Sequence, residues 1–234
     1  MDIGICLIAF DCRYVVNGKI RLENSEFYTD SAVQRVLKLK EHNINNITLL
    51  TDKPEKFNNL DIDVINYDTQ KYSFADKLTV CYLALKKYET VIYLDSDCEI
   101  DYDEIEKINF NEGITISQYW NDGKLKFFEE ISHDIYFKKI IEYCNENRLN
   151  YLNSLLLEER LIIIKKCNKI DEFFELYFKL KTIIEENDEE FNNYPVGRGE
   201  GLIMGISIIN TGIKCNEITE DIKKLKLIHL PYAQ

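Results

Sequence analysis

No stretch of this chain is long and apolar enough to cross a bilayer. Its start, Met1-Asp2-Ile3-Gly4-Ile5-Cys6-Leu7-Ile8-Ala9-Phe10, is too short an apolar run for a signal peptide and lacks the basic flank. The expected compartment is the cytoplasm, with no integral membrane segment. A basic stripe is also missing: 29 Lys and Arg against 41 Asp and Glu leave a net charge of -12, which argues against a nucleic-acid partner. A small diphosphate remains compatible, because screening over about 8 Å lets a few local charges dominate a site. The seven cysteines, at 6, 12, 81, 98, 144, 167 and 215, have neither the paired spacing of a zinc site nor the density of a secreted scaffold. They are expected to stay reduced. Proline occurs only at 54, 195 and 231, and no repeat or low-complexity linker divides the chain.

What is present suits one large core. The 234 residues are 45% hydrophobic and 12% aromatic, which argues against disorder and for a single α/β domain. Residues 3–10 form a continuous apolar run that predicts a first strand, followed by an irregular polar loop over 11–24. Ser25 or Thr29-Asp30 can cap a helix reaching about His42, with Ala32, Val33, Val36, Leu37 and Leu39 on its apolar side. Residues 47–51 and 62–65 read as strands, 74–88 as a helix and 91–94 as another strand. This alternation predicts a parallel, Rossmann-type half over residues 1–100.

Residues 101–234 are less regular and predict a mixed sheet that makes an acceptor half. There 113–119, 160–165 and 202–209 read as strands, and 131–147, 150–157 and 171–186 as helices. Residues 187–201 form the longest loop-like segment, and loops of such length are more often functional than filler. Within it, Gly197-Arg198-Gly199-Glu200-Gly201 lacks the spacing of a dinucleotide fingerprint and reads as a mobile turn.

The most informative segment is Val91-Ile92-Tyr93-Leu94-Asp95-Ser96-Asp97-Cys98-Glu99, a buried-type strand that ends in two carboxylates separated by one small residue. Two such groups repel unless a cation offsets them. A divalent ion does this well and, held by two protein oxygens, keeps coordination positions open for phosphate. The carboxyl ends of strands are also where open α/β sheets bind ligands.

Together with Phe74-Ala75-Asp76-Lys77 and the helix that follows, this segment resembles the core of GT-A glycosyltransferases, nearest to the glycogenin-like and lipopolysaccharide-galactosyltransferase-like group. The resemblance implies a GT-A-like fold and a metal-dependent hexosyltransferase. Such an enzyme moves a sugar from a nucleotide-diphosphate donor, UDP-sugar foremost, to a hydroxyl of a glycan or other acceptor. It implies Mn2+ or Mg2+ on Asp95 and Asp97, with His229 of Leu227-Ile228-His229-Leu230-Pro231 as a further ligand. Lys77, Ser96 and the end of the first strand, Ala9 and Phe10, fall to the donor. Asp188-Glu189-Glu190 resembles the acidic sugar-binding motif, so Asp188 and Glu189 become the catalytic candidates. Two departures stand out: Glu189 replaces an amide, and Leu230-Pro231-Tyr232-Ala233-Gln234 replaces the glycine and lysine that usually follow the histidine.

Other readings compete. A haloacid-dehalogenase-like phosphatase also uses Asp-x-Asp, but needs it on an early strand with Thr or Val two places on, where this chain has Glu99. A sugar-nucleotide or glycan-binding module of the same fold would keep the site without turnover. Asp101, Asp103, Glu104 and Glu106 read as a solvated face, and His42 and His133 as structural or solvated. Cys98 has no resolving partner nearby in sequence, which disfavours a redox switch.

Overall fold

The computed structural model describes residues 2–10, 14–16, 19–21, 27–67, 75–118, 120–121, 124–125, 138–154, 157–186 and 199–229. Its strands, in chain order, are β1 (Ile3–Ala9), β2 (Tyr14–Val16), β3 (Lys19–Arg21), β4 (Ile47–Thr51), β5 (Asp63–Asn66), β6 (Thr90–Leu94) and β7 (Cys98–Glu99). They continue with β8 (Gly113–Gln118), β9 (Trp120–Asn121), β10 (Lys124–Leu125), β11 (Leu157–Lys165), β12 (Cys215–Asn216) and β13 (Ile228–His229). The helices are α1 (Phe27–Glu41), α2 (Asp76–Leu85), α3 (Lys138–Glu146), α4 (Ile170–Glu186), α5 (Gly199–Thr211) and α6 (Glu220–Lys223).

Seven strands form one mixed sheet in the order β12-β8-β11-β6-β1-β4-β5. β5, β4, β1 and β6 run parallel, β11 is antiparallel to both β6 and β8, and β12 is parallel to β8. The chain leaves β1 toward β4 and β5, then returns through α2 to place β6 on the other side of β1. That reversal makes the carboxyl ends of β1 and β6 a topological switch point, the usual ligand position in open α/β sheets.

The period-two alternation of a strand decides which helix each residue meets. In β1, Ile3, Ile5, Leu7 and Ala9 join Ala32, Val36 and Leu39 of α1 on one face. Cys6 and Ile8 join Leu78, Cys81 and Ala84 of α2 on the other. β6 divides the same way, with Ile92 and Leu94 toward α1 and Val91 and Tyr93 toward α2. Helices thus cover both faces, and a sheet buried on both sides requires the near-continuous apolar strands seen here.

Three expectations are corrected. Residues 202–209, read as a strand, lie in α5, where Leu202, Ile203, Met204 and Ile206 are buried. Residues 201–207 are buried throughout, and a helical stretch buried on all sides is apolar all round, so its sequence imitates a buried strand. Ser207, Asn210 and Thr211 donate to the carbonyls of Ile203, Ile206 and Ser207, each at 2.7 Å, the i-4 spacing of a helix. α5 also begins at Gly199, so Gly199 to Gly201 are not a turn.

Second, of the segment 150–157, read as a helix, the described residues 150–154 and 157 are not helical. Ser154 caps a short turn on the Tyr151 carbonyl, and Leu157 opens β11. Third, the segment 11–24, read as loop, contains the antiparallel ribbon β2–β3 with Val15 opposite Ile20.

Candidate metal and anion site

Because Val91 and Tyr93 face α2, the next odd residue, Asp95, leaves the strand toward the same side. There its carboxylate meets two groups. The Tyr93 hydroxyl donates to Asp95 Oδ1 at 2.6 Å, and Lys77 Nζ lies 3.1 Å from Oδ1 and 3.3 Å from Oδ2. Lys77 occupies the first turn of α2 and is 6% exposed, with its ammonium 5.7 Å from the Tyr93 ring centroid. A buried ammonium requires such a partner.

Directly after the strand, the Cys98 amide donates to the Asp95 carbonyl at 2.9 Å and closes a tight turn over Asp95, Ser96, Asp97 and Cys98. Aspartate is favoured at the first position of such turns. The turn draws the carboxylates of Asp95 and Asp97 and the sulfur of Cys98 together, with one potential ligand atom from each within 4.8 Å of the others. Ser96 is buried within it. The Cys98 thiol donates to Asp97 Oδ1 at 3.7 Å. Its pKa is pushed up to about 12, first by burial and then by the charges of Asp97 and Asp95. The sulfur is therefore a neutral neighbour at ordinary pH, and the two carboxylates are the hard donors of the cluster.

β7 follows the turn and pairs antiparallel with β13, setting Ile228 opposite Glu99 and His229 opposite Cys98. The backbone of His229 thus runs beside the acidic turn, although 130 residues separate it from Cys98 in the chain. Ala9 ends β1 and is buried, and the Phe10 ring lies in the core, 5.9 Å from that of Tyr67. Asp188 and Glu189 lie outside the described residues, as does His133.

Two supporting networks join residues far apart in sequence. Glu99 accepts from buried Arg35 and from Lys38, each at 2.7 Å, and Arg35 also donates to the Tyr102 hydroxyl at 3.1 Å. The Lys38 hydrogen bond, followed by those of Arg35, outweighs burial and lowers the Glu99 pKa. On the opposite face, buried Asp76 pairs with Lys181 at 3.0 Å, and Lys181 also meets Glu185 at 2.6 Å. Burial opposes charge on Lys181, but Asp76 and Glu185 overcome it and hold its pKa above the ordinary lysine value. Tyr93 carried a readable signal, since it stands two residues before Asp95 in a strand. Arg35 and Lys181 carried none. His42, expected to be structural or solvated, pairs with Asp103 at 2.8 Å.

No protein-family model matches this chain, and no curated protein sequence matches it significantly.

Proposed function

We propose that the chain is a metal-dependent glycosyltransferase of GT-A type, moving a sugar from a nucleotide-diphosphate donor to a hydroxyl acceptor. The observation that carries this reading is the cluster of Asp95 and Asp97 at the carboxyl end of β6, next to the point where the strand order reverses. Two hard oxygens with Lys77 alongside suit a divalent ion and the phosphates of a donor. Asp95 and Asp97 would hold Mn2+ or Mg2+, with His229 as a further ligand from β13. When bound there, the ion would supply Lewis-acid stabilisation to a departing nucleoside diphosphate.

The remaining work falls to the protein. Tyr93 orients one oxygen of Asp95, Ser96 keeps the turn compact, and Lys77 offers a buried cation to a phosphate oxygen. Asp188 and Glu189 are assigned to the sugar.

One observation favours a second reading. The Lys77 ammonium already contacts both oxygens of Asp95, offsetting that charge as an ion would. A metal-free sugar-nucleotide-binding module would have this arrangement.

A thermal-shift titration with UDP-sugars, with and without Mn2+, separates the two. A ligand at about 100 times its Kd adds about 2.7 kcal/mol, or roughly 5–10 °C in Tm for a chain of this size. The transferase reading requires a shift that depends on Mn2+, is abolished in Asp95→Ala and Asp97→Ala, and is accompanied by slow donor hydrolysis. A shift independent of metal, without hydrolysis, supports the binding module. No shift with any nucleotide sugar rejects both.

A further inference from the structure

On the sheet face opposite Lys77, a cavity of about 330 Å³ lies between the start of β11 and the segment that runs from β12 through α6 to β13. Leu161, Ile222 and Leu227 contribute its apolar wall, and Arg160, Lys223 and Lys226 its cations. Its size is at the small end of the range for small-molecule sites. In a chain of net charge -12, the convergence of three cations on one apolar cavity runs against the overall charge.

Arg160 reaches this position through an irregularity. β11 pairs with β8 at Glu158 opposite Ser117 and next at Ile162 opposite Ile116, so the intervening residues bulge out of that ladder. Bulges re-aim side chains at sites. Lys226 stands at φ +48°, just after the α6 turn, a conformation that glycine adopts with less strain. Lys223 meets Glu220 at 2.5 Å, Lys226 meets Asp101 at 3.4 Å, and Arg160 is engaged as well, its charge acting on Cys98 beside the acidic turn. The two lysine pairs are solvent-exposed and therefore weak, and a ligand anion can exchange for the carboxylates.

We propose that this cavity binds a small organic phosphate with an apolar body. The phosphate would take the Arg160 fork and the two ammonium groups, and the apolar body would lie against Leu161, Ile222 and Leu227. The site goes beyond the transferase reading and does not depend on it.

Calorimetry on the whole chain in EDTA, so that no divalent ion bridges to the acidic turn, tests this with hexyl phosphate, inorganic phosphate and hexanol. The expected result is one hexyl phosphate per chain, with each half-molecule at least about tenfold weaker. Arg160→Ala and Lys226→Gly should each weaken hexyl phosphate about tenfold, and Lys226→Gly should do so without lowering Tm, since glycine relieves the turn. The proposal is overturned if hexyl phosphate does not bind, if hexanol binds equally well, or if both variants, folded by their thermal transitions, bind it like the parent.

Discussion

Lys77 Nζ sits between the two oxygens of Asp95, 3.1 Å from one and 3.3 Å from the other, so a lysine on α2 occupies the charge-neutralising position beside the acidic turn. An ion approaching Asp95 must therefore compete with a tethered ammonium. Replacing that ammonium with an apolar side chain of similar length should tighten Mn2+ binding. Lys77→Met is expected to lower the Mn2+ Kd about tenfold, the equivalent of about 1.4 kcal/mol, while weakening any nucleotide-diphosphate ligand. Calorimetry of each ligand gives the two signs. Equal Mn2+ affinity in parent and variant would show that the lysine and the ion do not share Asp95.

Tyr93 is fully buried, and its hydroxyl donates a 2.6 Å hydrogen bond to Asp95 Oδ1. Tyr93→Phe keeps the ring packing and removes only that donor. Unfolding by urea should report a loss of about 1–2 kcal/mol, and Mn2+ affinity should fall because the carboxylate is no longer oriented. A variant as stable as the parent, binding Mn2+ equally well, would contradict this role.

Glu99 carries the pH dependence of the α1 contact. Its pKa is lowered in the folded state, chiefly by Lys38, so its contribution to stability is present above the unfolded value of about 4.3. As pH falls below that value toward the folded pKa, the contribution is lost. Glu99→Gln should lower stability at pH 7 and flatten the acid limb of a Tm-against-pH curve. Parallel curves for parent and variant would place the acid sensitivity elsewhere.

Gly4 lies in β1 where a side chain would collide with the Tyr88 ring, which packs against the core around α2. Gly4→Ala should cost about 1–3 kcal/mol through overpacking, measured by thermal unfolding. Gly4→Ala combined with Tyr88→Ala should recover part of that loss if the collision is the cause. Without recovery, the strain has another source.

The parallel half of the sheet was legible because each strand is a short apolar run and each crossover helix carries its own periodicity. Residues 47–51 are a strand as expected, and the acidic turn follows β6 where the apolar residues stop. The second half was harder to read. Residues 202–209 have the composition of a buried strand, and only their packing against α4 and β11 makes them a helix. Within the segment 150–157, Ser154 closes a turn on Tyr151 and Leu157 opens β11, because β11 extends alongside β8, where Leu157 lies opposite Gln118, a demand that acts from outside the segment.

The site divides in the same way. Asp95 and Asp97 could be located from residues 91–99 alone, since a strand that meets water in a pair of acids announces its own end. The partner of Asp95, the alignment of the His229 backbone with Cys98 and the burial of Arg35 against Glu99 depend on contacts between separate elements of the fold. Local order along the chain specified which groups could carry charge. Folding alone chose which of them meet, because burying an ion requires a partner, and that partner is set by the packing of the sheet rather than by distance along the chain.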